Sequence, residues 1–184
     1  MEKWRISETG LKDSPPVPGG VDSGSRSETE DGVVETTNKK QTIMKLSIGS
    51  DHAGFNYKEA IKDHLIQSGH EVEDLGTFTE ASCDYPDYAH AVANNIEQGK
   101  SEFGVLVCGS ANGVAITANK HASIRAAICW ETEIASLARA HNNANIICIP
   151  ARFVPVDGAL EMVDTFLSTE FEGGRHATRV GKIS

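Results

Sequence analysis

The feature that most constrains the fold is a regular alternation of short apolar runs with longer stretches of helical periodicity. In the longer stretches apolar residues recur every three or four positions, as Tyr88, Val92 and Ile96 do. Strands that alternate with helices in this way form a parallel sheet covered by helices on both faces. The sequence therefore predicts a single α/β domain with a doubly wound five-stranded parallel sheet, whose strands lie at 46–48, 71–75, 103–107, 124–129 and 145–149.

The amino-terminal segment, residues 1–43, lacks this alternation. It holds Pro15, Pro16 and Pro18, three of the 6 prolines in the chain, and is otherwise rich in Gly, Ser, Thr and Glu. Such a composition buries too little apolar surface to offset the entropy lost when a chain becomes ordered. We predict a disordered extension at 1–43, followed by a folded domain at 44–184.

Charge and cysteine content exclude several functional classes. The net charge is −9 without a dense Lys/Arg cluster, so we expect a small-molecule partner or another copy of the chain, and no nucleic acid. The sequence contains no run of about 18 apolar residues and no visible secretory signal, which predicts a cytoplasmic protein that crosses no membrane. The cysteines form no CxxC pair, so we expect free thiols and no zinc site built from Cys83, Cys108, Cys129 and Cys148.

Polar groups follow three of the predicted strands, in the segments 50-SDH-52 and 108-CGS-110 and at Arg152. In a Rossmann-like sheet, ligands bind beyond the carboxyl ends of the strands. Cys108 stands at a strand tip, shortly before a predicted helix. The unpaired N–H groups of a helix start would lower the pKa of a thiol from roughly 8.5 and would stabilise a nearby oxyanion. The residues alone leave two interpretations open, a catalytic base and a buried structural cysteine.

Several familiar catalytic motifs are absent. The sequence contains no GxGxxG, GxxxxGK[ST], HExxH or GxSxG, which disfavours a standard dinucleotide site, a triphosphate loop, a zinc peptidase and a serine hydrolase. A cysteine phosphatase needs an arginine six residues after the nucleophile, where this chain has Val114. The thiol at the strand tip therefore needs another explanation.

From Lys45 onward the sequence resembles the type B ribose-5-phosphate isomerases, a family that includes the galactose-6-phosphate and allose-6-phosphate isomerases. The resemblance implies an isomerase of carbohydrate metabolism that interconverts ribose 5-phosphate and ribulose 5-phosphate in the pentose phosphate pathway, without metal or cofactor. It also implies a homodimer, sometimes a tetramer, with active sites shared between subunits. The matching segments come in the family's order: 48-IGSDHAGF-55, 84-DYPDYA-89, 106-LVCGSANGVAITANK-120, 139-RAHNNAN-145 and 171-FEGGRHATR-179.

The resemblance assigns three catalytic residues. Cys108 matches the base that moves a proton between C2 and C1 through an enediolate. Ser110 would help to move the proton on the sugar oxygens, and His141 would open the furanose ring. The N–H groups of the turn from Gly109 to Gly113 would hold the enediolate charge.

The substrate-binding residues follow from the same matches. Asp51 would hold the sugar's hydroxyls or ring oxygen, His52 would face the phosphate, and Asn142 would bind a sugar hydroxyl. The phosphate would also meet three arginines, two of which are four positions apart and would share a helix face: Arg152, Arg175 and Arg179. The resemblance gives no role to His64, His70, His90 or His121, and it leaves His176 undecided.

Two positions depart from the family pattern. Ala111 stands where Gly is frequent, so the turn either uses negative φ or makes the pocket tighter. Asn143 stands where Asp is frequent, and the lost carboxylate could weaken the orientation of the loop beside His141.

Three functions remain open at this point. The first is the pentose-phosphate isomerase, and the second is an isomerase of a six-carbon phosphosugar such as allose or galactose 6-phosphate. The third is a non-catalytic phosphosugar-binding subunit, against which the joint presence of Cys108 and His141 argues.

Overall fold

A computed structural model describes residues 42–183. The predicted disordered extension at 1–43 lies, apart from its last two residues, outside the described range. The strands form one five-stranded parallel sheet in the order β2-β1-β3-β5-β4, which confirms the predicted fold class. The strands are β1 (Lys45–Ser50), β2 (Glu71–Asp74), β3 (Phe103–Cys108), β4 (Ala126–Ile128) and β5 (Ile146–Pro150).

A helix follows each strand, as the alternation of apolar runs and helical periodicity in the sequence predicts. A short 3-10 turn, His52–Gly54, precedes the first helix, and the last helix follows the fifth one without an intervening strand. This last helix carries the arginine pair that was expected to share a helical face. The helices are α1 (Phe55–Gln67), α2 (Tyr85–Glu97), α3 (Asn112–Ala118), α4 (Thr132–Asn142), α5 (Val156–Ser168) and α6 (Arg175–Val180).

The two faces of the sheet form two separate cores. Successive side chains of a strand point to opposite faces. In β3, Val105 and Val107 pack into the core with α1, α4 and α5, whereas Leu106 and Cys108 pack into the core with α2 and α3. The register of β3 therefore directs the Cys108 side chain towards α2 and α3.

The strand order creates a switch point between β1 and β3. From β1 the chain crosses to β2 on one side, and the next strand, β3, pairs with the other side of β1. A crevice at such a point is the usual ligand site of a doubly wound sheet. The 3-10 turn after β1 presses on β3, since a Cβ atom on Gly54 would lie 2.6 Å from the Val107 carbonyl oxygen. This close approach brings the residues after β1 beside the tip of β3.

A buried ion pair joins α1 to the end of β2. Lys58 is 0% exposed, and its Nζ donates to Asp74 Oδ2 at 2.5 Å and to Glu59 Oε1 at 2.5 Å. Burial by itself would raise the pKa of Asp74, but hydrogen bonds from Lys58, the Gly76 N–H and Lys62 hold it below its usual value. A buried lysine without its counter-ion is costly, so this pair fixes α1 against the sheet.

No helix within residues 42–183 is long and apolar enough to cross a membrane.

We predict that Asp74→Asn lowers the free energy of unfolding by about 3 kcal/mol, because it removes the more buried of the two carboxylates that pair with Lys58 and leaves only the more exposed Glu59. Urea denaturation at neutral pH measures this change. The deficit should shrink as the pH falls below 3.8, the ordinary pKa of the carboxyl, towards its lowered value in the folded chain, since the wild type then loses the same charge.

Glu71→Gln is the matched control, because Glu71 lies in the same strand and pairs with Lys45 at 3.8 Å on the exposed surface. It should cost less than about 1 kcal/mol. Equal losses for the two variants would contradict a special role for the buried pair.

Candidate active site

The centre of the site is a contact between Cys108 and Asp51. The Cys108 thiol donates a hydrogen bond to Asp51 Oδ2, with 2.9 Å between sulfur and oxygen. Both residues are almost fully enclosed, at 9% and 6% exposed. The other Asp51 oxygen, Oδ1, accepts from the Gly54 N–H at 3.1 Å, which holds the carboxylate in place. The two strand tips at the switch point thus bring together an acid and a thiol that are 57 positions apart.

The sequence-based expectation of a lowered thiol pKa is wrong for this substrate-free arrangement. Burial, followed by the hydrogen bond to Asp51 and the charge of that carboxylate, raises the pKa of Cys108 to about 11. The backbone N–H groups of Ser110 and Ala111 act in the expected direction and lower it, but they are outweighed. The helix start was visible in the sequence, whereas the opposing carboxylate was not known to lie within reach of the sulfur.

The turn after β3 has a left-handed residue at its centre. Ala111 has φ 61° and ψ −9°, so the alternative of a negative φ is wrong. An alanine in this conformation is strained, and such strain is frequent at functional sites. Gly113 lies one residue into α3, where an added Cβ would come within 2.6 Å of the Tyr85 ring. Tyr85 therefore packs directly on the first turn of α3.

Three further predicted residues lie around this turn. An added Cβ on Gly109 would lie 3.1 Å from Arg152 Nε, so the guanidinium group of Arg152 covers the turn. The Arg152 backbone N–H also donates to the Gly109 carbonyl at 3.1 Å. His52 follows Asp51 directly, and its Nδ1 accepts from the Cys83 N–H at 3.4 Å. Ser110 is exposed beside the thiol. One edge of the sheet thus assembles Asp51, His52, Cys108, Gly109, Ser110, Gly113 and Arg152.

The remaining predicted residues lie at the opposite edge. Helix α4 connects the carboxyl end of β4 to the amino end of β5, so His141 and Asn142 lie at the amino-terminal edge of the sheet. Cys108 pairs with Pro150 at the other end of β5, and a strand of this length spans roughly 13–16 Å. The chain alone therefore does not bring His141 to Cys108.

A second cluster surrounds His141. Its ring stacks on that of His176, with centroids 4.1 Å apart and an interplanar angle of 5°. Glu172 Oε2 lies 3.7 Å from His141 Nε2 and 3.6 Å from His176 Nε2. Burial and the neighbouring His141 lower the pKa of His176 below its ordinary value.

The three side chains of this cluster offer possible metal ligands within 4.8 Å of one another. A metal ion binds in the plane of each imidazole that holds it, on the nitrogen lone pair. Two parallel stacked rings cannot both direct a lone pair at one ion, so the cluster suits proton exchange and anion binding better than metal binding.

The two arginines of α6 extend this second cluster. Arg175 and Arg179 are both exposed, and Arg175 Nε donates to His176 Nε2 at 3.4 Å. The segment before α6 is fixed to α4 by a hydrogen bond from the Glu172 N–H to the Ala140 carbonyl at 3.0 Å. The ends of α4 and α6 therefore lie together at this edge of the sheet, and they carry His141, Asn142, Arg175 and Arg179.

Asn143 closes α4 with a left-handed conformation, φ 47°. Its side-chain oxygen accepts a hydrogen bond from Arg139 Nη1 at 3.0 Å. Asparagine tolerates the left-handed region better than most residues. The loop beside His141 is thus oriented without the carboxylate that the family pattern has at this position.

Sequence reasoning missed Glu172 and left His176 undecided. The two residues are four positions apart, and that spacing was the available signal. This spacing alone does not predict the cluster, because Glu172 and His176 both contact His141, which lies about 30 positions earlier in the sequence.

Comparisons with known proteins agree with this description. A model of the Ribose/Galactose Isomerase family matches residues 46–183. Ribose-5-phosphate isomerase B of Escherichia coli is 42% identical over 142 residues, which cover 77% of this chain and 95% of that protein.

Two solved structures are similar over most of their length. The ribose 5-phosphate isomerase of Thermotoga maritima has a TM-score of 0.75 at 50% identity, and the match covers 76% of this chain and 97% of the Thermotoga chain. Ribose-5-phosphate isomerase B of Mycoplasma genitalium, with bound ribulose-5-phosphate, has a TM-score of 0.73 at 40% identity. This match covers 76% of this chain and 93% of the Mycoplasma chain.

A doubly wound fold with a thiol and a carboxylate at its switch point defines, together with these matches, an aldose–ketose isomerase. The match extends over nearly all of the described residues, 42–183. The chain belongs to the ribose/galactose isomerase family.

We predict that Asp51→Asn lowers the pKa of Cys108 from about 11 towards the ordinary thiol value of 9.0, because the variant removes the charge that disfavours the thiolate. The pH dependence of iodoacetamide labelling, followed by mass spectrometry of the Cys108 peptide, measures this pKa. Labelling of the half-buried Cys83 in the same sample is the internal control and should not change. An unchanged or higher Cys108 pKa would contradict the assigned cause.

Proposed function

We propose that this chain interconverts ribose 5-phosphate and ribulose 5-phosphate, with Cys108 as the base. The observation that carries the proposal is the enclosed contact between the Cys108 thiol and Asp51 at the switch point. A buried thiol beside a carboxylate and a turn of free N–H groups is suited to moving a proton at carbon. The bound ribulose-5-phosphate of the Mycoplasma genitalium relative supports a five-carbon substrate.

The raised pKa of the free enzyme requires a step that activates the thiol. Sugar hydroxyls that donate hydrogen bonds to Asp51 replace the thiol at this carboxylate. The exchange removes a contact that raises the pKa of Cys108. The thiol then releases its proton to water, so the thiolate forms when substrate is bound.

The isomerisation itself moves one proton between two carbons. The thiolate takes the proton from C2 of the open-chain aldose, and the electrons of that C–H bond form the enediolate. The Cys108 thiol returns the proton to C1, while the Ser110 hydroxyl carries a proton from the C2 oxygen to the C1 oxygen. The N–H groups of the turn stabilise the negative oxygen during both steps.

The ring-opening histidine and two of the phosphate-binding arginines come from a second copy of the chain. Ring opening needs an acid–base group on the same sugar, and His141 lies at the far edge of its own sheet. His141, Asn142, Arg175 and Arg179 of the partner subunit complete each site around Cys108 of the first. A two-fold symmetric homodimer makes two such sites at once, and a tetramer built from two such dimers makes four.

The first test is turnover of ribose 5-phosphate by EDTA-treated protein. The wild type should remain active, and Cys108→Ala should lose on the order of a thousandfold in kcat because the base is gone. Cys83→Ala is the control and should keep wild-type activity. Specificity constants on ribose 5-phosphate and on allose and galactose 6-phosphates compare the substrate classes.

Each outcome of that test has a meaning. A higher specificity constant on a six-carbon phosphosugar would replace the ribose assignment. Phosphosugar binding without turnover would indicate a non-catalytic subunit. An active Cys108→Ala variant would exclude Cys108 as the base.

The shared site predicts complementation between two inactive variants. Cys108→Ala and His141→Asn should each be inactive alone, but mixed subunits contain one intact site per heterodimer. An equal mixture after subunit exchange should recover about a quarter of wild-type activity, since half the dimers are mixed and each has one working site of two. A mixture that stays inactive despite verified exchange would contradict a shared site.

A further inference from the structure

Two histidines outside the proposed site face each other through their ring nitrogens. His90 lies on α2, and His121 lies in the turn that follows α3. His90 Nδ1 is 2.8 Å from His121 Nε2, and the ring planes are tilted by 57°. Unlike the stacked pair at His141, this pair brings one ring nitrogen of each histidine face to face.

A carboxylate fixes the other nitrogen of His121. Glu97 Oε2 lies 2.9 Å from His121 Nδ1, and Glu97 Oε1 accepts from the Ser123 hydroxyl at 3.3 Å. A carboxylate oxygen only accepts hydrogen bonds, so the contact with Glu97 places the proton of His121 on Nδ1. His121 Nε2 therefore presents a lone pair towards His90 when His121 is neutral.

The spacing of the two nitrogens is close to what a shared metal ion needs. Zinc binds imidazole nitrogen at roughly 2.0–2.1 Å, so two nitrogens on one tetrahedral ion lie about 3.3 Å apart. The observed 2.8 Å fits one proton between the rings. A separation of about half an ångström more, with the rings turned so that both lone pairs meet at the ion, would admit a tetrahedral metal. His90 is exposed, so its side chain is free to make this adjustment.

We propose that His90 Nδ1 and His121 Nε2 bind one divalent transition-metal ion, with Glu97 orienting His121 from behind. Imidazole ligands favour Zn²⁺, Ni²⁺ and Cu²⁺. A carboxylate on the second nitrogen of a ligating histidine is the arrangement that fixes ring orientation in metal sites. The ion displaces the proton shared by the rings, which moves to His90 Nε2. Water fills the remaining coordination positions, because His90 and Glu97 face solvent.

The bound ion would join α2 to the turn after α3. These two helices pack together at their starts as well, through Tyr85 and Gly113 beside the Cys108 turn. The metal site itself lies outside that turn, and isomerisation uses none of its three residues. Zinc binding and isomerase activity are therefore separate properties that separate experiments address.

Calorimetric titration of the EDTA-treated, dialysed protein with Zn²⁺ tests the proposal. His90→Gln and His121→Gln should each lose one bound ion per chain that the wild type takes up. Glu97→Gln should weaken that site at least tenfold, since it removes only the group that orients His121. His64→Gln is the matched control, because His64 also pairs with a carboxylate, Asp164 at 2.8 Å, but faces no second imidazole. It should bind zinc as the wild type does.

Histidine-ring NMR identifies the nitrogens and excludes other zinc sites. On zinc addition, the resonances of His90 Nδ1 and His121 Nε2 should shift. Zinc shifts confined to His141 and His176, or unchanged zinc binding in both His90→Gln and His121→Gln, would overturn the proposal. Metal-free His90→Gln should isomerise sugar phosphate at the wild-type rate, so failure of the metal site is distinguishable from failure of the proposed function.

Discussion

The pairing of β1 with β3 at the switch point is the constraint on which the rest of the site depends. It sets the tip of β1 beside the tip of β3 and encloses Asp51 with Cys108. Gly54 makes this possible, because only a residue without a side chain lets the turn after β1 rest on the Val107 carbonyl. Burial of the thiol, together with this contact, raises the pKa of Cys108 to about 11.

The direction of the crossover helices separates His141 and the arginines of α6 from Cys108. In a parallel sheet every crossover helix runs back from the carboxyl edge to the amino edge. The end of α4 therefore carries His141 away from Cys108, and α6 packs beside it with the two arginines. The cluster around His141 therefore lies at the edge of the sheet opposite Cys108 of the same chain. This separation is the physical reason to propose a site shared between two subunits.

The two histidine pairs differ in how their rings are oriented, and ring orientation determines which ligands a pair can bind. The His141 and His176 rings stack in parallel and meet one carboxylate edge, which suits proton exchange and anion binding. The His90 and His121 rings are tilted, with nitrogen facing nitrogen, which suits one proton or one ion between them. Residue type alone does not distinguish the two cases, and the sequence analysis assigned no role to His90 or His121.

The sequence by itself determined the fold and the edge of the sheet at which Asp51, Cys108 and Arg152 lie. Alternating periodicity sets the direction of each strand, and that direction puts the residues after β1, β3 and β5 at one edge. Only the tertiary structure decided the sign of the Cys108 pKa shift, the stack at His141, the left-handed Ala111 and the facing His90 and His121. Each of these depends on a distance or backbone angle set by packing between elements far apart in the chain, and no local pattern encodes such a distance.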